Sequence, residues 1–210
     1  MISGPSSSGK TTLLNKIIRV SDKLIKGQTG KKVILFYLSE QKLYDQWEED
    51  GLLTFKHKGI PTSTEFLEII DLYCGKQGGI CIFDDLDSEI KKNISFFREL
   101  MLVHSHHKNL SVFLILHNLF TQGTRDLSLN CHRFIITHNP RDALSVSTLA
   151  RQCFPNSRGF LPSVYKKIGE KKFGYLLLDF GQNTPQDLRG EYVHEINTKS
   201  FLLFSDNKLV

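Results

Sequence analysis

The segment Gly4-Pro5-Ser6-Ser7-Ser8-Gly9-Lys10-Thr11 constrains this chain more than any other part of it. It satisfies the pattern G-x-x-x-x-G-K-[ST], and each position has a physical reason. Small residues let the backbone curl so that successive N–H groups point inward and make a concave seat for phosphate oxygens. Gly9 lets the chain pass close to such a ligand. A helix that begins here adds the partial positive charge of its N-terminus. Lys10 is long enough to reach β- and γ-phosphates, and Thr11 offers a hydroxyl to Mg²⁺. The expected ATP contacts are therefore Gly4, Pro5, Ser6, Ser7, Ser8, Gly9, Lys10, Thr11 and the following Thr12.

The rest of the chain alternates buried-strand and helix patterns. Leu13, Leu14, Ile17, Ile18, Leu24 and Ile25 predict one helical apolar face, with Gly27 as its stop. Val33 to Leu38 reads as a strand apolar on both faces, which suits a parallel sheet covered by helices. Thr62 and Glu65 form a capping-box pattern for a helix through about Leu72. Strands are expected at 79–83, 112–116 and 134–136, and helices around 90–101 and 142–152. Tyr175–Leu178 and Phe201–Phe204 are expected as late strands. No linker or repeat divides the sequence, so residues 1–210 are expected to form one three-layer α/β domain around a mostly parallel sheet.

Two strand ends carry chemistry. Ile80-Cys81-Ile82-Phe83 runs into Asp84-Asp85, about 70 residues after the glycine loop. An apolar strand that ends on carboxylates suits Asp84 as the Mg²⁺ holder and Asp85 as the general base for an attacking water. Neighbouring strand residues point to opposite sides, so the two carboxylates can hold different tasks. The next buried strand ends on His117-Asn118. In P-loop NTPases of the RecA-like ASCE type, which hydrolyse ATP through a water and a carboxylate base, that strand inserts beside the loop-bearing one. His117 or Asn118 would then face the γ-phosphate. The trio His104, His106 and His107 has no cysteine or carboxylate at ligand spacing and is expected to be a solvated helix end.

Composition sets outer limits. The formal charge of +5 permits an acidic partner without requiring one. Four cysteines without metal-type spacing predict free thiols and a reducing, intracellular setting. No secretory signal or membrane span is expected.

Longer segments resemble the viral genome-packaging ATPases of the FtsK–HerA superfamily, those of Maverick/Polinton-type elements above all and poxvirus-type ATPases more distantly. They are GPSSSGKTT at 4–12, FYLSEQKLYDQW at 36–47, ICIFDDL at 80–86 and HSHHKNLSVFLILHNLF at 104–120. SLNCHRFIITHNPRD at 128–142, STLARQCFP at 147–155 and FGYLLLDF at 173–180 complete the set. The resemblance implies an ATP-driven motor that moves double-stranded DNA into a capsid, working as a homo-oligomeric ring on a capsid or portal protein. It also implies a nuclear, cytoplasmic or virion-associated assembly site in the host. A neighbour's arginine would support the transition state, with Arg125, Arg141 and Arg151 as candidates and Arg141 favoured. Such a residue is worth roughly 10³–10⁵ in rate.

The chain departs from the pattern in three places. His117 stands where glutamine is usual, Ser7 or Ser8 replaces a mid-loop glycine, and only three residues precede Gly4. Two other readings stay open: a nucleoside or nucleotide kinase, and a weakened relative that binds nucleotide or DNA without turnover. Against the kinase, no arginine-rich lid segment appears late in the chain. Lysines at 23, 26, 31–32, 56, 58, 91–92, 166–167 and 171–172 are the candidate DNA-phosphate contacts.

Overall fold

Strands that are apolar on both faces need a layer of helices on each side. That requirement shapes the computed structural model, which describes residues 1–25, 32–120, 125–182, 184 and 190–193. Its first half runs β1 (Ile2–Ser3), α1 (Lys10–Arg19), α2 (Ser21–Leu24), β2 (Lys32–Tyr37), α3 (Lys42–Glu49), β3 (Phe55–Lys58), α4 (Ser63–Tyr73) and β4 (Gly79–Asp84). Next come α5 (Asp87–Lys92), α6 (Ile94–Glu99), a π-helical turn at Leu100–His104, α7 (Ser105–His107) and β5 (Leu110–Leu116). The chain continues through α8 (Arg125–Leu129), β6 (Arg133–Thr137), α9 (Ala143–Cys153), α10 (Phe160–Ile168), β7 (Tyr175–Asp179) and β8 (Gly190–Val193).

The described strands form one sheet in the order β3-β2-β4-β5-β1-β6-β7-β8. All pairings from β3 across to β6 are parallel, while β7 and β8 are antiparallel. As expected, β5 lies between the acid-bearing β4 and the loop-bearing β1. The two-residue side-chain period then sorts the core. Val33, Leu35, Ile80 and Ile82 pack with Leu14, Ile17, Tyr44 and Trp47 on one face. Ile34, Phe36, Cys81 and Phe83 pack with Phe66, Ile70, Phe96 and Phe97 on the other.

Some helices differ from the expected outlines. The first does not run to Gly27: it breaks at Val20 and restarts as α2, and Gly27 lies outside the described residues. The helix expected around 90–101 is interrupted at Asn93, whose side-chain amide donates to the Glu89 carbonyl at 2.9 Å. The capping box of α4 forms as expected, with Thr62 Oγ1 accepting from the Glu65 N–H and Glu65 accepting from the Thr62 N–H. Phe201–Phe204, Lys26 and Lys31 fall outside the described residues. No described helix is long and apolar enough to cross a membrane.

β1 pairs on both sides, Ile2 with Ile115 and Ile135, Ser3 with Leu116 and Ile136. Beside it lies a cavity of about 490 Å³, lined among others by Met1, Ile17, Val112, Phe113, Cys131 and Arg133. Phe83 is fully buried and stacks on Phe36 at a ring separation of 4.7 Å. Phe83→Ala is expected to lower unfolding free energy by about 3–5 kcal/mol, read as a fall in the urea midpoint at unchanged slope.

Candidate functional site

The glycine loop is held from below and from the side. Gly4 N–H donates to the Leu116 carbonyl at 3.1 Å, which ties the loop to the end of β5. From β6, the buried Thr137 hydroxyl lies 3.2 Å from the Ser3 carbonyl, to which it donates, and 2.7 Å from Ser8 Oγ. A Cβ at Gly4 would sit 1.7 Å from Thr137 Oγ1, so only glycine fits here. The loop then turns through Ser7 at φ 61° and Gly9 at φ 91°. Ser7 is thus the serine that occupies a glycine-type backbone. Lys10 opens α1, is buried, and donates to the carbonyls of Gly4 at 2.7 Å and Pro5 at 2.8 Å. Burial lowers its pKa, and Asp84, then Asp87 and Asp85, pull it back up.

Asp84 ends β4 and is almost completely buried. Its Oδ2 accepts a 2.8 Å hydrogen bond from the Tyr44 hydroxyl of α3. Burial raises the Asp84 pKa and the Asp85 charge adds to the rise, while the Tyr44 bond and Lys10 oppose it. Tyr44 stays a donor, because burial and then the Asp84 charge hold its hydroxyl well above the usual phenol range.

Asp85 lies beyond the strand at φ 60°, a left-handed conformation that aspartate tolerates. The turn, rather than strand alternation alone, separates the two carboxylates. Asp85 Oδ1 meets His117 Nε2 at 2.9 Å, and the His117 N–H donates to Asp87 Oδ1 at 3.0 Å. Asp85, Asp87 and His117 thereby bring ligand-type atoms within 4.8 Å of one another. Asp87 Oδ2 is buried without a hydrogen-bond partner. Hard oxygen donors from Thr11 and the buried Asp84, with acid nearby to spare, are the set a Mg²⁺ ion takes.

The remaining candidates are placed less tightly. Asn118 and Thr12 are exposed, and Thr11 is half-buried. Arg141 follows β6 in a short 3₁₀ turn and is exposed, and Asn139 Oδ1 accepts from its backbone N–H. Arg151 Nη2 reaches Thr148 Oγ1 on its own helix at 3.3 Å. The Arg125 side chain is outside the described residues.

Among solved structures, the chain is similar to the genome packaging NTPase B204 from Sulfolobus turreted icosahedral virus 2 in complex with ATP-gammaS. The TM-score is 0.58 at 15% identity, over 93% of this chain and 96% of that one. The fold is that of the P-loop NTPases. A KaiC-like protein from the archaeon Pyrococcus horikoshii matches at TM-score 0.47 and 13% identity, over 94% of this chain and 85% of that one, a likeness too slight to argue from. The chain matches no family model and no curated protein sequence.

Within the P-loop NTPase fold, the structure brings together Lys10, Asp84, Asp85 and His117 and adds Tyr44, Asp87 and Thr137, which sequence reasoning had not assigned to the site. Tyr44 and Thr137 both lie inside segments that carry the family resemblance, at 36–47 and 128–142, and neither has a residue-level signal of its role. Lys56 pairs with Glu40 at 2.9 Å, Glu48 at 2.9 Å and Asp45 at 3.4 Å. One expectation is corrected. His104 is not solvated but buried beside Phe66, with Nε2 3.4 Å from Glu99, while His106 and His107 are exposed.

Tyr44→Phe removes a hydrogen bond that favours the charged Asp84, so the carboxyl keeps its proton to higher pH. Mg²⁺-dependent nucleotide affinity is expected to fall about 5- to 10-fold in acid and to recover as pH rises. Fluorescent-nucleotide titrations with and without Mg²⁺ across a pH series, wild type beside the variant, check this.

Proposed function

We propose that this chain binds Mg-ATP at the Gly4–Thr12 loop and hydrolyses it to drive double-stranded DNA into a viral capsid, as a ring of identical subunits. The observation that carries the hydrolytic part is the pairing of Asp85 with His117, at the end of a strand inserted between β4 and β1. A carboxylate held by an imidazole, next to a loop that seats phosphate, is built to take a proton from water.

Each residue then has a task. Lys10 leaves the Gly4 and Pro5 carbonyls for the β- and γ-phosphates. Thr11 and Asp84 hold Mg²⁺, which neutralises charge on those oxygens when bound. Tyr44 occupies one Asp84 oxygen and so fixes the direction of the other. Asp85 accepts the proton of the attacking water, His117 orients Asp85, and Asn118 contacts the γ-phosphate. Arg141, which is exposed, serves a neighbouring subunit's site.

The packaging role rests on the segments HNLF at 117–120, NPRD at 139–142 and LARQ at 149–152, which are more specific than the loop itself. The likeness to a viral genome packaging NTPase agrees with it at the level of fold. DNA would meet lysines that remain exposed, including Lys23, Lys58, Lys91, Lys166 and Lys167.

Phosphate release from Mg-ATP is expected to rise on adding double-stranded DNA and to drop about 10²- to 10⁴-fold in Asp85→Asn. ATP binding without release, with or without DNA, would overturn the motor reading. Transfer of phosphate to a nucleotide acceptor would move the chain to the kinases.

A further inference from the structure

Phe173 lies in the turn between α10 and β7, and 57% of it is exposed. Its φ of 62° is in the left-handed region, a genuine outlier for a bulky aromatic residue. Such a conformation persists only where the surroundings enforce it, and it clusters at ligand sites. The ring rests on the phosphate loop. A Cβ built on Gly9 would lie 3.1 Å from Phe173 Cδ1 and 3.6 Å from Cγ, so the ring is in close contact with the loop backbone and a side chain there would push it back by a few tenths of an ångström. The Lys172 ammonium stands 5.1 Å from the ring centroid, a cation–π distance.

The site has a direction. Asp84, Asp85, Asp87 and His117 gather at the ends of β4 and β5, on one side of β1. The γ-phosphate end of a nucleotide belongs there, where Lys10 and a divalent cation offset the acids. The base end then falls on the opposite side, toward β6 and β7. That side presents Phe173 with Lys171 and Lys172, all exposed.

We propose that Phe173 is the stacking platform for the nucleotide's base, with Lys172 covering the ring until the base replaces it. The proposal rests on the phosphate-loop reading above and names the ligand class of that site. An aromatic face accepts any base by its π-surface. The larger ring area of purines makes purine nucleoside triphosphates the favoured class.

The test compares two probes, Mg-ATP and Mg-tripolyphosphate, the second having the phosphates and no base. Phe173→Ala and Phe173→Gly, the latter also relieving the positive φ, are expected to weaken ATP about 5- to 100-fold and to change tripolyphosphate less than about 2-fold. Phe173→Trp is expected to keep ATP affinity, and thermal melts identify any variant that fails to fold. Equal loss of both probes would show that the ring only props Gly9 and would overturn the platform, as would no loss of ATP affinity. Wild-type protein that binds tripolyphosphate as tightly as ATP overturns the platform and leaves the phosphate loop standing. Wild-type protein that binds neither overturns both.

Discussion

The site hangs from a two-residue strand. Ile2 and Ser3 are clamped between β5 and β6, with further ties from the Met1 carbonyl to the Ile135 N–H at 2.9 Å and from Gly4 N–H to Leu116. Everything the loop does depends on that clamp, because the loop itself has little intrinsic preference for its shape. Thr137 supplies the lateral hold, filling the space that a Cβ on Gly4 would need and reaching Ser8. Ser7 works against it: a non-glycine residue in the left-handed region costs about 1 kcal/mol. The pairing of β1 with two well-packed strands offsets that cost.

Two opposite charges share the space above the clamp, and neither is comfortable. Burial disfavours the charged forms of both Lys10 and Asp84, and each is partly restored by the other. Lys10 answers by turning back onto loop carbonyls, Asp84 by taking the Tyr44 proton donor. For Asp84 the folded chain holds its proton more tightly than the unfolded chain does. Its contribution to stability therefore falls as pH rises from below the ordinary value of 3.8 through the raised one. Buried charges of both signs beside the glycine loop suit a ligand that brings counter-charges of its own.

Much of the fold was legible because it depends on local pattern. Val33–Tyr37 and Ile80–Phe83 announce two-faced strands, and Thr62 with Glu65 announces a helix start. β3 was not legible: Phe55-Lys56-His57-Lys58 reads as a basic cluster, yet lysines are what an edge strand carries. The site divides the same way. Gly4–Thr11 and Asp84-Asp85 show as contiguous motifs. Tyr44 meets Asp84 across 40 positions and Thr137 meets Ser8 across 129, and no spacing rule reports contacts that topology alone creates. His104 misled for a related reason. His106 and His107 are exposed, whereas His104 ends the π-helical turn and is buried against Phe66.

Coulomb attraction does not distinguish a nucleotide's phosphate from that of DNA, so position decides what each lysine serves. Lys56 is committed to three carboxylates that come from α3 and the turn before it. Lys92 is partly committed to Glu89 at 2.8 Å, and Lys108 to Asp71. Lys172 lies over Phe173, and on the stacking proposal it serves the nucleotide. On the reading proposed here, DNA is left with a sparse set of exposed lysines on one subunit. A sparse set per subunit suits a ring, in which several copies sum weak, sequence-blind phosphate contacts and each can let go when its own nucleotide is spent.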